Sequence, residues 1–595
     1  MIHRIRVYTS LRKKLYFLFV VPIATFNFLH GSDSSSCSLS NNTWIPRSFG
    51  SYSSREIMLE KSYFESGQDD HLWNGTVSFA TEYMQNFGCP TIGALPFWSG
   101  SNTMTIGNNN GKAQVDAYQF GLGNVPVNED GIAGTITLDP KIQQIGTQFL
   151  FYTTAQKDAP SLFFKVNASF GAMMVTCNVT EKPAVDSSDI LGFTQTTNPG
   201  DQTITYEWTD YPTPERRYAS LSDAFFGGTD SCKVAAGNIY KPIRLEKGRI
   251  DPFKNTEVKL GDLSATVGYN FVADENKLFG VGIKASAPTS NAATCDHMLE
   301  PFFGRPGYWG IGGEVMGYYR YNLHECEDKT RFFNLWLQGE VMHLIQGRSP
   351  NLRSFDLKQN GPGSKYLLIQ YYPATYVKDP ITNITSQISQ PNFIQQAINL
   401  TTLPVISNIA VEGSIALMGN YVSNNFSFGI GAEFWGRSSE KLCMDTAAIL
   451  EMRIPNLQDF AVLGRQISAY SIDGQATSVV GTYCEPLARI NQSQDPVILQ
   501  GTTPNVTTPA SLPEGIADAT VAANRIPAEF SNALDICGAQ AVAIMSGKFF
   551  GQLGYTWNNH NLTPSLSLFS GVELVDKKRH AVQSWNIGLQ GNINF

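Results

Sequence analysis

The sequence predicts an all-β protein, an antiparallel up-and-down transmembrane β-barrel of about 12–14 strands with long loops at one end. Three observations predict it. Stretches of period-two apolar alternation recur along the chain and end on its last residue. Charged residues inside those stretches fall on the face opposite the apolar one. The connections between the stretches alternate between short and long. Successive side chains of a strand point to opposite faces, so this alternation marks a wall with one apolar and one polar side.

The N-terminus comes first in the chain and reads as an address. Arg4, Arg6, Arg12, Lys13 and Lys14 precede an apolar stretch from Leu15 to Phe28, broken by Pro22, and then a small, polar stretch from Gly31 to Ser36. The order is that of a secretory signal peptide over residues 1–31, and the stretch is too short for a transmembrane helix. Residues 32–72 follow as an N-terminal periplasmic or plug segment, and residues 73–595 as the barrel. Charged residues at 16% and aromatic residues at 12% exclude a disordered chain. A net charge of −8 excludes a nucleic-acid partner, which needs a basic face. The nine cysteines are scattered with no C-x-x-C pair, so neither a metal nor a cofactor is expected. Export permits disulfides among them.

Twelve strands can be drawn: 73–87, 145–155, 161–176, 261–271, 277–287, 308–321, 333–344, 405–420, 425–436, 547–557, 563–574 and 584–595. The last is the clearest: Trp585, Ile587, Leu589, Ile593 and Phe595 share one face, and Ser584, Asn586, Gln590, Asn592 and Asn594 share the other. Between strands, 156–160, 272–276, 322–332, 421–424 and 558–562 are short turns, whereas 88–144, 177–260, 288–307, 345–404 and 437–546 are long. In an up-and-down sheet alternate connections share an end. All long loops therefore fall at one end and both termini at the other. A soluble sandwich has no reason to sort its loops in this way. Val115–Gly123 with Ile132–Leu138 would make a further hairpin and raise the count to fourteen, and Lys365–Tyr372 is another strand-like run. Aromatics fall near both rims: Trp73, Tyr269, Phe271, Tyr319, Tyr321, Trp557 and Phe595 at one, Phe87, Trp309 and Trp585 at the other.

Over residues 73–595 the chain resembles Gram-negative outer-membrane β-barrel proteins of the porin-like class. That class ends in a C-terminal assembly signal, a terminal aromatic preceded by alternating apolar residues. Ile587, Leu589, Ile593 and Phe595 match it, and Gly591 departs from it. The resemblance implies a bacterial outer-membrane location with N- and C-termini in the periplasm. It also implies outer-membrane lipid and the barrel-assembly machinery as partners.

The candidate site is the polar face. Glu82, Lys165, Asp262, Lys284, Glu314, Arg320, Glu340, Glu412, Glu433, Lys548 and Glu573 would point inward. As pore-lining residues they would give a passive, mildly cation-favouring conduit for small polar solutes. Paired with one another they would brace a closed barrel instead, since small barrels fill their interiors with side chains. Two other readings stand beside the conduit. One is a structural or adhesive surface protein acting through its long extracellular loops. The other is an outer-membrane lipid hydrolase in which outward-facing His343 would activate Ser407. No motif supports that pair, so the chain is expected not to be an enzyme. His324-Glu325-Cys326-Glu327 reads as a solvated turn rather than a metal site.

Overall fold

A computed structural model of the chain describes chiefly residues 43–65, most of 74–184, 220–225, 245–250, most of 254–371, 394–452 and 530–595. The expected signal peptide and Trp73 lie outside the described residues.

Twelve long strands form the wall. They are β1 (Asn74–Asn86), β2 (Ile132–Thr154), β3 (Ser161–Pro183), β4 (Lys254–Asp274), β5 (Lys277–Ala287) and β6 (Tyr308–Cys326). Then follow β7 (Lys329–Gln346), β8 (Thr402–Ser423), β9 (Phe426–Arg437), β10 (Ile544–Thr556), β11 (Thr563–Val575) and β12 (Ser584–Asn594). Each pairs antiparallel with the next, and β1 pairs with both β2 and β12, which closes a barrel of 12 strands. At the closing seam Gly75 N–H donates to the Phe595 carbonyl at 2.9 Å, and Phe595 N–H returns the bond at 3.0 Å. The short turns are tight. Asn424 takes a left-handed φ of 55°, as the two-residue connection from β8 to β9 requires.

The extra hairpin does not join the wall. Ile132–Leu138 is the far end of β2, and Val115–Asp116 is a two-residue strand parallel to Thr103–Gly107 beside it. Pro140 lies inside β2, where a proline removes a ladder donor. Asn86, the last residue of β1, continues the pairing with its side chain. Its Oδ1 accepts from Ile142 N–H at 2.8 Å and its Nδ2 donates to the Pro140 carbonyl at 2.9 Å.

Outside, the wall is apolar. Ile283 is 71% exposed, Ile430 60% and Leu553 60%, and Tyr269, Phe271, Tyr319, Tyr321, Trp309 and Phe87 are exposed nearer the two ends. A continuous apolar band around a closed sheet, with aromatic rims, is a lipid-facing surface.

β2 and β3 have 23 residues each, against the roughly ten that span a bilayer. Their far halves stand beyond the apolar band. Ile136, Leu138, Met173 and Val175 there join Leu221, Phe225, Leu299, Phe355, Leu367, Ile369, Ile398 and Leu403 from the long connections in one buried apolar cluster. The loops thus pack into a cap with a core of its own. The run at 365–372 belongs to it, with Leu368–Tyr371 paired to Ile394–Gln396.

The segment before β1 enters from the long-loop end. Thr43, Trp44 and Phe49 sit at the long-loop end, where Thr43 Oγ1 donates to the Ala539 carbonyl at 2.7 Å and Trp44 enters the cap cluster. Phe595 lies at the short-turn end. The first described residue and the C-terminus therefore stand at opposite mouths, because residues 43–65 run down through the lumen before β1 begins. One expectation changes: Ser407 faces inward. The pairing of β7 with β8 shifts between Met342 and Leu344, so Met342 meets Glu412 and Leu344 meets Ile409. This bulge reverses the alternation beyond it.

Candidate functional site

The charged residues named from the strands converge in the lumen, and it is filled. Helix α1 (Ser53–Glu65) runs along it, and every residue from Ser53 to Phe64 is buried. A soluble helix keeps one wet face. This one has none, because wall side chains surround it.

The half of α1 nearer the long-loop end is fixed by charge. Arg55 Nη2 meets Glu82 Oε2 at 2.8 Å, and Arg55 also donates to Gln148 and to the Phe49 carbonyl. Glu56 stands between two wall lysines, with Lys284 Nζ at 2.8 Å and Lys165 Nζ at 3.2 Å. Lys165 is shared among Glu56, Glu60 at 2.9 Å and Glu314. Lys284 also reaches Glu340 at 2.6 Å. Glu433 accepts from Ser53 N–H at 3.0 Å and pairs with Arg47, whose Nη1 reaches Glu573 at 3.2 Å. Asp262 and Glu412 are joined by Arg305, from the connection before β6, at 3.0 and 2.7 Å. Among the described residues Lys548 has no carboxylate within hydrogen-bond reach; its ammonium lies 4.3 Å from the centre of the Tyr52 ring. Arg320 donates to the Phe64 carbonyl at 3.0 Å and covers the Phe332 ring.

The half nearer the short turns is apolar. Ile57, Met58, Leu59, Tyr63 and Phe64 pack on Leu150, Tyr152, Phe163, Met316, Tyr318, Trp336, Met418 and Phe550 from the wall. Phe64 touches Tyr152, Tyr318 and Trp336 with ring centroids 5.5–6.0 Å apart. Lys61 reaches Gln552, and Glu65 accepts from Asn334 and Asn420.

All eleven charges named from the sequence therefore point into the barrel. What they meet is protein. The acidic excess that suggested cation preference is engaged by Arg47, Arg55 and Arg305, none of them in a wall strand. Strand periodicity could not reveal those three. The wall's own imbalance of acid over base was the signal that cations had to come from elsewhere. Small pockets around Trp44, Arg47 and Tyr52, and around Gly50, Asp262 and Arg305, flank the plug. Oxygens of Glu56, Glu60 and Glu314 lie within 4.8 Å of one another, a spacing that could hold a metal ion. Lys165 Nζ is already bonded to all three residues, and supplies the positive charge there.

The hydrolase pair is separated. Ser407 is buried with Tyr308 and Gln346, its Oγ donating to Gln346 Oε1 at 2.8 Å. His343 stays outside, its Nδ1 2.9 Å from the Ala410 carbonyl. The side chains of 324–327 lie outside the described residues. Ile587, Leu589, Ile593 and Phe595 face lipid, and each is about half exposed. Gly591 has an explanation in the fold: a Cβ there would lie 2.7 Å from the Phe79 ring of β1, so that ring already fills the place of the missing side chain.

Fold and site together define a class, a twelve-stranded membrane β-barrel with an internal plug and a packed loop cap. No protein-family model and no curated protein matches the chain. Solved structures with a similar course include an outer membrane channel from Pseudomonas putida F1, at 10% identity and a TM-score of 0.33, covering 89% of this chain and 97% of that one. A Pseudomonas aeruginosa FadL homologue follows at 8% identity and a TM-score of 0.23, covering 88% of this chain and 89% of that one. A monoaromatic hydrocarbon channel mutant matches at 8% identity and a TM-score of 0.25, covering 90% of this chain and 93% of that one.

Proposed function

We propose that the chain is a bacterial outer-membrane conduit for small polar solutes, held shut by its own residues 43–65. The observation that carries the reading is the set of ion pairs between plug and wall. Arg47, Arg55, Glu56 and Glu60 each bond to a charge on a strand. A barrel that served only as scaffold could fill its lumen from the wall. Here the obstruction is a separate segment, held by contacts that can be broken. Buried ion pairs add little net stability over apolar packing, but they fix one position for what they hold.

Conductance of the purified protein in a planar lipid bilayer tests this. The intact chain is expected to be silent, and a variant lacking residues 43–65 to show discrete steps with a cation-favouring reversal potential. Silence from both, with insertion demonstrated, would overturn the reading.

The loop cap favours a second reading, a surface protein that acts through its long loops. Cap-directed binding that survives removal of the plug would favour it.

A further inference from the structure

The cap contains a cavity that the lumen reading does not use. It is lined by residues of the first described segment and three long connections, among them Trp44, Cys295, Met298, Arg353 and Lys365. Lys365 is 2% exposed and Arg353 3%. Arg353 spends Nη2 on Glu440 at 2.8 Å and Nη1 on the Leu352 carbonyl at 3.1 Å, while its buried Nε–H has no partner. The Lys365 ammonium has no carboxylate within ion-pair distance among the described residues. Asp356 accepts from the Lys365 backbone N–H at 3.0 Å instead. Glu300 also lines the cavity, but its carboxylate accepts from the Thr294 backbone N–H and hydroxyl and from Asp296 N–H.

We propose that this cavity is a binding site for a small oxyanion, a carboxylate or a phosphate, held by the Lys365 ammonium and the Arg353 Nε–H. A buried ammonium without a bonded anion is costly, and so is a buried N–H without an acceptor. One oxyanion answers both. Burial lowers the Lys365 pKa, and Asp356 offsets this only in part. A bound anion would restore the charged form. The inference does not depend on the conduit reading, since the site lies outside the barrel.

Cys295, in the same cavity, supplies the test, and exposed Cys443 is the internal reference. The folded protein is alkylated with iodoacetate or with iodoacetamide, and each cysteine is read by peptide mass spectrometry. Thiolate population cancels in the ratio of the two reagents, so only attraction for the carboxylate remains. The ratio at Cys295 should exceed that at Cys443 by roughly tenfold. Inorganic phosphate or acetate should each lower it, and the stronger competitor identifies the preferred anion class. Lys365→Gln should bring it down to the Cys443 value. Equal ratios at the two cysteines in the native protein, or a Cys295 preference untouched by Lys365→Gln and by both anions, would overturn the proposal.

Discussion

Arg55 of the lumen helix and Glu82 of the first wall strand form an ion pair at 2.8 Å with both side chains almost wholly out of water. The helix is thereby locked to the strand that also closes the barrel. Removing one partner would leave the other charged, buried and unmatched, at a cost of about 3–5 kcal/mol. Arg55→Met is therefore expected to loosen the plug and to produce channel steps in a planar bilayer. Arg55→Met with Glu82→Gln should restore part of the silence. A single variant as quiet as its parent would show that this pair does not hold the lumen shut.

Phe64 closes the other end of the helix against Tyr152, Tyr318 and Trp336. Truncation to alanine removes a buried ring, which typically costs about 3–5 kcal/mol. Protease nicking within 43–65 should rise in Phe64→Ala while the heat-modifiable gel mobility of the barrel stays native. Loss of both would mean that the plug and the wall fold as one unit.

Burial and the neighbouring Glu300 push the Cys295 thiol up to about 11. The thiol form is favoured below that value, so alkylation of Cys295 by neutral iodoacetamide should keep accelerating as pH climbs toward it. A rate that levels off near the ordinary thiol value of about 8.5 would refute the burial. Stopped-time labelling across pH, read by mass spectrometry, decides this.

Phe595 seals the seam by its backbone bonds to Gly75, and its ring stacks on Phe151 at 6.4 Å. Phe595→Ala should cut the folded yield in cells several-fold if the terminal residue acts as an assembly signal. Stability of the folded protein in detergent should change by only about 1 kcal/mol, because the ring is partly exposed. Equal yields would remove the assembly role.

With Thr43 at the long-loop mouth, an epitope placed just before it should be reached by antibody on intact cells. An epitope after Phe595 should be reached only after permeabilisation. The opposite pattern would invert the assigned orientation.

The wall was legible in the sequence because alternation is a direct imprint of a two-sided sheet. All twelve strands lie where the period-two runs placed them. Their far ends were not legible. β2 passes through Pro140 only because Asn86 lends its side chain, a device that no local pattern announces. Ser407 was misplaced because one bulge reverses every face beyond it. The plug was the largest omission, left open as tail or plug. Ser53, Ser54, Glu56, Glu60 and Lys61 show no apolar stripe, and a helix inside a mixed lumen needs none. The eleven wall charges were assigned to the right face, yet their partners lay in segments that carry no strand signal.

The plug is joined to β1 through the short stretch 66–73. An opened barrel would therefore keep its stopper beside the mouth, at an effective concentration on the order of millimolar. Reclosure would be a first-order event, equally fast in dilute and crowded membranes. Openings would come as brief bursts, and a free peptide copied from residues 43–65 could compete only above that local concentration.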